Sequence, residues 1–561
     1  MMKKSLLLTL LVIAGTLQAS TEAQYAPVVP VLEKFIEHEM ADKDLPALSI
    51  ALVDDQQIVW SKGFGFANPK TKVAATADTL YPDALGSHTS GEVATGTIWT
   101  IDGRVFDAPT PAGPYATAGE LAKLGQIRKE RAIEGFATTV EALPDEKLAV
   151  AVITTKNEAN AVTRRIADAA LKAMLAVRQQ KPIPEPEITS PVDPQLARRI
   201  AGRYMSGNHG VDLIESAGRL SLLPIKGGKF VSLRSLGDAL IVDSPLSYGE
   251  KILVRGDDIV VGGETLKKVS SAKPHAPPAA WMKLIGEYGP DDNILYILEK
   301  DKKLFALVDW FDYVPVDKRF VVTPDRVKFE GVLYPRRRVG PEEGANQLRI
   351  TPLRPVAELL PEALAASPPK ERGLREPDLV ELTALDPTIK LEVRYATTNN
   401  FLGTKFYSQA RAFMQRPAAE AVVRAHHKLK KLGYGLLIHD AYRPWYVTKM
   451  FWDATPDDKK LFVANPSEGS RHNRGCAVDL TLYDLKTGKP VQMVSTYDET
   501  TDRAFADYPG GTSLQRWYRH LLRQAMESEG FTVYSAEWWH FDYKDWRSYP
   551  VMNVRFENIG R

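Results

Sequence analysis

Short apolar runs at residues 48–53 and 58–66, separated by the polar tetrapeptide 54–57, predict two strands joined by a turn, with a helical pattern before them. Between 195 and 355 the rhythm changes to alternation. Runs such as 211–223 and 295–308 switch between apolar and polar residues, as antiparallel strands with one wet face do. From about Leu374 onward helices and strands take turns. Ala418, Val422, Ala425, Leu429 and Leu432 recur at helical spacing behind Pro417, whose fixed φ suits a first helical turn, and Gly433 ends the stripe. A short buried strand at 436–439 then delivers Asp440-Ala441-Tyr442-Arg443-Pro444 to its end. A second helix, 514–526, carries Leu514, Tyr518, Leu521 and Ala525 on one face. Beyond Gly530, a strand at 532–535 leads into Glu537-Trp538-Trp539-His540.

A chain of 561 residues is too long for one ordinary core. The pattern predicts a multidomain protein: an α+β region at 25–180, a small antiparallel β module at 195–272, a second at 279–355, and an α+β domain at 374–556. Pro-rich segments fall at the joints, residues 181–194 before the first module and Pro274, Pro277 and Pro278 between the two. The modules read as an internal duplication, because Gly202, Tyr204, Glu215 and Leu220 recur as Gly286, Tyr288, Glu299 and Leu304, every pair 84 residues apart. Trp310, Phe311 and Tyr313 in the second copy are expected to pack in a core rather than hold a ligand.

Composition removes several function classes. A hydrophobic fraction of 44% and a charged fraction of 25% are those of a soluble globular protein, and no internal apolar run is long enough to span a bilayer. The formal charge of +2, with both signs interspersed, gives no reason to expect a nucleic-acid partner. Residues 1–23 read as an export signal peptide: Lys3 and Lys4, an apolar stretch from 6 to 17, then small Ala19 and Ala23. Cleavage would leave no membrane anchor, and the mature protein is expected in the periplasm or outside the cell. Cys476 is the single cysteine, so no intrachain disulfide can form there.

In the first region, helix, strand, turn and strand close on Ser61-Lys62-Gly63-Phe64-Gly65. Further on stand Tyr115-Ala116-Thr117-Ala118-Gly119-Glu120-Leu121-Ala122, and Glu134-Gly135-Phe136 leading to Leu143-Pro144-Asp145-Glu146-Lys147-Leu148. Together these stretches resemble the serine β-lactamase and penicillin-binding hydrolases. The resemblance implies a nucleophilic Ser with a Lys three residues on, soon after Thr79-Leu80-Tyr81. Ser87 is followed at that spacing by Ser90 and Ser90 by Val93, and no Lys occurs between Lys72 and Lys123. Two other matches lie in the wrong context: Ser270 with Lys273 in a Pro-rich linker, and Lys486-Thr487-Gly488 in a turn. The region is therefore read as a truncated β-lactamase-like remnant without catalytic function.

The last domain holds the chemistry. A hydrolytic zinc site needs three His or carboxylate ligands, an open position for water, and a nearby carboxylate to take the water's proton. Ser470-Arg471-His472-Asn473-Arg474-Gly475-Cys476-Ala477-Val478-Asp479 sets a His and an Asp seven residues apart across a Gly that permits a tight turn, and Glu537 and His540 add a carboxylate and another imidazole. Alone, His472 or His540 is more often structural than a ligand. In one domain with Asp479, Glu537 and Arg443, they favour a metal. His426 and His427 lie off the apolar stripe of their helix and read as solvated; His439, at a strand end, reads as packing or as support for the site.

These segments resemble the zinc D-alanyl-D-alanine dipeptidases known from vancomycin resistance and their chromosomal relatives. The likeness runs over about 374–556 and rests on Val393-Arg394-Tyr395-Ala396, Asn399-Asn400-Phe401, Tyr442-Arg443-Pro444, the Ser-x-His-x-x-Gly-x-Ala-x-Asp run and Glu-x-Trp-His. It implies one zinc ion per chain held by His472, Asp479 and His540, with Glu537 as catalytic base and Arg443 as transition-state stabiliser. It also implies a metalloprotease that hydrolyses the D-alanyl-D-alanine dipeptide in cell-wall turnover or remodelling. The family's Asp-Met-Gly, whose Asp helps bind the substrate ammonium, reads Gln492-Met493-Val494 here, before Tyr497-Asp498. Because residues three apart on a regular strand face opposite ways, a twist or break is expected between Glu537 and His540. Two alternatives stay open: a zinc D,D-carboxypeptidase or endopeptidase acting on peptidoglycan stem peptides, and a non-catalytic cell-wall binding protein working through its N-terminal regions. Since the Ser-x-x-Lys pair is missing after Tyr81, fluorescent penicillin is expected to leave the purified protein unlabelled. A covalent band on a denaturing gel would overturn the silent reading of the first region.

Overall fold

The computed structural model describes residues 22–82, 94–99, 105–107, 115–123, 128–133, 135–216, 218–270, 272–291, 293–337 and 349–559. The expected export signal, except for residues 22 and 23, lies outside the described residues, as do Ser87, Ser90 and Glu134. The chain forms two compact units: Met1–Ser271 with Asp291–Asn293 and Val308–Val314, and Ala272–Pro290 with Ile294–Leu307 and Pro315–Arg561. Among the described residues no helix is long and apolar enough to cross a membrane.

In the first unit the two strands expected near the N-terminus are Ala47–Asp54 and Gln57–Asn68, at the centre of a six-stranded antiparallel sheet. Alternation sorts their side chains. Leu48, Ile50 and Leu52 meet the helices Val29–Asp42 and Asn160–Arg178, whereas Ala47, Ala51 and Val53 face the other way, toward the short helix Ala118–Ala122. The first β module is an eight-stranded closed barrel running from Gly202–Ser206 to Glu264–Val269, with those two strands paired to close it and Tyr204, Leu222 and Ile252 in its core. A buried cluster of charges ties helix to barrel: Lys43 Nζ lies 3.2 Å from Glu39 and 3.1 Å from Asp243, and Arg165 bridges the same two carboxylates. Trp310, Phe311 and Tyr313 are buried, as core residues are.

The 84-residue repeat recurs in the hydrogen-bond register. Gly202 pairs with Leu213 and Glu215 with Leu220; Gly286 pairs with Ile297 and Glu299 with Leu304. The phenol of Tyr204 donates to the Ile200 carbonyl, that of Tyr288 to the Leu284 carbonyl. Glu215 accepts the Gly218 amide, Glu299 that of Lys302. Beyond these strands the copies part: the second continues into a separate three-stranded sheet, Phe320–Val322, Arg326–Phe329 and Val332–Pro335.

In the second unit the C-terminal domain is built on a five-stranded sheet in the order Lys390–Leu391, Tyr434–Asp440, Ala477–Asp484, Glu537–Tyr543, Phe531–Tyr534, with only the first pair parallel. The helix Arg416–Lys430 starts at its Pro, as the pattern indicates, and packs Ala418, Val422, Ala425 and Leu429. Leu432 falls beyond the helix end and is exposed. His426 corrects the sequence reading: it is fully buried, with Nδ1 accepting the Leu436 amide and Nε2 beside Thr388 Oγ1, because the helix buries a wider arc than its aliphatic stripe. His427 is outward and meets Asp386. The helix Ser513–Glu527 is capped by Thr512 and Gln515 and buries Gln515, Tyr518, Leu522, Ala525 and Met526, a stripe rotated from the expected one so that Leu514 and Leu521 sit at its margin.

Candidate metal centre

The site grows from a row across the sheet. Asp440, Asp479 and His540 are register partners on three neighbouring strands, Asp440 opposite Asp479 and Asp479 opposite His540. Directly opposed residues share a face, so the antiparallel pairing alone sets the Asp479 carboxylate beside the His540 ring. His540 Nδ1 lies 3.0 Å from Asp479 Oδ1. His472 comes from the loop before the middle strand, in the single turn His472–Arg474, which ends in Gly475 at φ 66°. The left-handed φ of Gly475 favours glycine in this turn, and a Cβ there would also displace the Leu379 side chain, whose Cδ2 lies 2.7 Å from its position. His472 Nε2 then lies 3.4 Å from Asp479 Oδ1 and 3.1 Å from His540 Nδ1.

The expected break between Glu537 and His540 is present. Val533 pairs with Phe541 but Tyr534 pairs with Glu537, so residues 538–540 bulge against a partner with no residues to match them. The bulge turns Glu537 Oε2 to within 3.6 Å of His540 Nδ1. Arg443 leaves the end of Tyr434–Asp440 and returns toward it: Nε and Nη2 both donate to Asp440 Oδ2 at 2.9 Å, and Nη2 sits 3.7 Å from Asp479 Oδ2. Its guanidinium lies against the neighbouring rings of Tyr395 and Phe451, at 5.2 and 4.9 Å from their centroids.

The outer contacts fix the two imidazoles. His472 Nδ1 is 2.6 Å from the Ala441 carbonyl oxygen, which can only accept, so Nδ1 carries the proton and Nε2 turns its lone pair inward. His540 Nε2 donates to Asp542 Oδ1 at 2.9 Å, leaving Nδ1 to face Asp479. Asp479 Oδ2 accepts from Tyr497, but Asp479 Oδ1 is buried with no hydrogen-bond partner. Two inward nitrogens and an unsatisfied anionic oxygen, all at 3.0–3.4 Å, repel one another unless a cation stands among them. Burial opposes charge on His540, yet Asp542 and Asp479 outweigh it and raise its pKa well above the usual imidazole value, so this nitrogen sits where positive charge, a proton or a metal ion in its place, is favoured. His472, Asp479 and His540 form the one cluster among the described residues with ligand spacing for a metal ion.

All five residues singled out from the sequence, His472, Asp479, His540, Glu537 and Arg443, line one cavity of about 130 Å³. Burial, reinforced by Asp479, pushes the Glu537 carboxyl up to about 8. Sequence reasoning named Asp498 in the Tyr497-Asp498 pair but gave it no role. It lines the cavity beside Glu499 and Thr500, accepts Tyr395 Oη–H at 2.9 Å through Oδ1, and keeps Oδ2 buried without a partner. Gln492 is not among the residues that line the cavity, so its substitution leaves the cavity's carboxylates in place. Asp440 and Asp542, which hold Arg443 and His540, were also missed; Asp542 was legible as the residue two beyond His540 on the same strand face. His439 is packing: it stacks on Tyr497 at 4.6 Å, and burial lowers its pKa to about 3, which keeps it neutral.

A mixed sheet that brings two imidazoles and two carboxylates into one cleft is an arrangement suited to a metal-dependent peptidase. Residues 375–559 match the model of the peptidase family described as D-ala-D-ala dipeptidase. The chain belongs to that family. It is 35% identical over 179 residues to the D-alanyl-D-alanine dipeptidase of Escherichia coli (strain K12), covering 32% of this chain and 91% of that protein. With the D-alanyl-D-alanine dipeptidase of Enterococcus faecalis (strain ATCC 700802 / V583) it shares 34% over 186 residues, 30% of this chain and 92% of the relative. The corresponding Streptomyces coelicolor enzyme shares 31% over 175 residues, 28% of this chain and 87% of the relative. An octameric penicillin-binding protein homologue from Pyrococcus abyssi aligns with 51% of this chain and 99% of its own at 12% identity, but a TM-score of 0.25 carries no weight for the fold.

Because Asp542 alone holds the outer nitrogen of His540, Asp542→Ala is expected to weaken metal binding by about 10- to 100-fold. Competition against a chelator of known affinity measures this; unchanged affinity would mean that ring packing suffices to orient His540.

Proposed function

We propose that the chain is an exported zinc dipeptidase that hydrolyses D-alanyl-D-alanine, in cell-wall turnover or remodelling. The observation that carries the reading is the convergence of His472 Nε2, His540 Nδ1 and the orphaned Asp479 Oδ1 at one end of a cavity that also holds Glu537 and Arg443. Two neutral imidazoles and one carboxylate with a free position are a zinc donor set of the hydrolytic kind. A single zinc ion held there supplies Lewis-acid activation of the peptide carbonyl and of a water molecule. Export rests on the N-terminal signal pattern.

The chain's own groups do the rest. Glu537, 3.6 Å from His540 Nδ1, takes the proton of the attacking water as a carboxylate and returns it to the leaving amine. Arg443, buried and pinned by Asp440, offers its remaining N–H groups to the oxyanion that develops on the peptide carbonyl. Asp498 Oδ2 accepts the ammonium of the dipeptide; a buried carboxylate oxygen with no other donor recognises a free amino terminus and disfavours a blocked one. Tyr395 holds the other oxygen and keeps Asp498 pointed into the cavity.

The direct test is hydrolysis of D-Ala-D-Ala, its L isomers and longer muropeptides by the purified protein, with and without zinc. Turnover of the D,D-dipeptide that follows zinc content supports the reading, and turnover confined to muropeptides sinks it. His472→Ala is expected to lose metal and activity together, whereas Glu537→Gln keeps one zinc per chain and loses turnover; equal loss of zinc in both would show that the roles are misassigned. Arg443→Ala should lower kcat by on the order of 10²- to 10³-fold with zinc retained, and Arg443→Lys should rescue only what charge alone supplies. A normal kcat in Arg443→Ala would remove it from the mechanism; unchanged kcat with a lowered Tm would reduce it to an ion-pair partner of Asp440.

A further inference from the structure

The family match begins at residue 375, yet part of the chain before it packs against a loop that lines the peptidase cavity. The loop from Val494 to Thr512 carries Asp498, Glu499 and Thr500 on the cavity wall. Its far limb rests on the second repeat copy. Tyr508 is buried, donates its phenol hydrogen to Glu287 Oε1 at 2.9 Å, and meets the Tyr296 ring edge-on at 5.8 Å. Glu299 accepts the Ser513 amide through Oε2 at 2.8 Å, and its own amide donates to the Gly511 carbonyl at 3.1 Å. Arg516 joins the same place, donating to the carbonyls of Gly510, Gly511 and Glu299.

Comparison of the two copies shows what changed. In the barrel, Arg203 and Asp212 are cross-strand partners joined by an ion pair at 2.6 Å. The same register pair in the second copy is Glu287 and Tyr296, and both now contact Tyr508. Glu287 is only 3% exposed, so its carboxylate is committed to this contact and to Arg337. From Tyr508 the support continues inward: the Ala506 amide donates to the Ser535 carbonyl, and the Phe505 ring meets Phe462, which lines the cavity.

We propose that the second repeat copy is a working part of the peptidase, with Glu287 and Tyr296 as positioning residues that dock Tyr508 and thereby hold the substrate loop bearing Asp498. This rests on the dipeptidase reading above. A loop held from behind fixes where the ammonium acceptor sits relative to the metal ligands, and loss of that hold affects ground-state recognition more than proton transfer at Glu537.

The test uses the full chain with Glu287→Ala, Glu287→Gln and Tyr508→Phe, assayed for kcat, KM, zinc content and Tm on D-Ala-D-Ala and on N-acetyl-D-Ala-D-Ala. Glu287→Ala is expected to raise KM for the free dipeptide about tenfold, to change kcat by less than about threefold, to keep its zinc, and to erode the preference over the N-acetylated substrate. Glu287→Gln keeps an acceptor for the tyrosine hydroxyl and should restore most of that preference. Tyr508→Phe deletes the same hydrogen bond with minimal change of shape, so it carries the test if Glu287→Ala does not fold. A KM and substrate preference unmoved in Tyr508→Phe, or moved equally by Glu287→Ala and Glu287→Gln, would overturn the positioning role while leaving the dipeptidase reading intact. A zinc-loaded wild-type protein without dipeptidase activity would overturn both.

Discussion

Three electron-pair donors, His472 Nε2, His540 Nδ1 and Asp479 Oδ1, are held 3.0–3.4 Å apart in a buried cleft, and much of the C-terminal domain serves to keep that repulsive arrangement in place. The sheet contributes most, because strand pairing sets Asp479 opposite His540 without any side-chain hydrogen bond to arrange it. The Ala441 carbonyl and Asp542 aim the imidazoles from outside, and Tyr497 leaves Asp479 one oxygen free. A cation bound among them would offset the cost of burying this set. Arg443, anchored to Asp440 and packed against two neighbouring rings, adds positive charge at the opposite side of the carboxylate without competing for the same oxygen.

Legibility in the sequence followed the range of the physics. Local patterns were readable: Pro417 at a helix start, Gly475 in a tight turn, strands near 48–53 and 436–439. The five chemical residues were readable because their types and spacings are unusual together, and the need for a break between Glu537 and His540 followed from strand periodicity before any bulge was seen. What depends on pairing between distant strands was not readable. Nothing local marks Asp440 as the partner of Arg443 or Asp498 as a cavity carboxylate, and no helical stripe marks His426 as buried, since its partners come from Thr388 and Leu436. The rotated stripe of Ser513–Glu527 has the same origin: Gln515 is buried by its cap and by Met493, not by hydrophobicity.

The repeat shows how one backbone pattern supports two outcomes. Both copies keep the tyrosine that ties its strand to the preceding turn and the glutamate that closes the hairpin. In the first, the neighbouring cross-strand pair is an ion pair on a barrel that closes on itself. In the second, that pair has become a carboxylate and an aromatic ring turned toward Tyr508, so a surface position has become an interior one. The exchange needed no change of register, which is why the 84-residue spacing survived it.

The row of Asp440, Asp479 and His540 also links the ion to the history of the chain. These residues stand on strands far apart in sequence and become neighbours only when the sheet is assembled, the kind of non-local closure that folds slowly. Before that moment the donors are scattered; afterwards they stand together with ligand spacing. An ion that binds the native state and not its precursors adds its binding free energy to folding. Where such an ion is bound, its local supply would then set how much of the chain stays folded as well as how much of it is active.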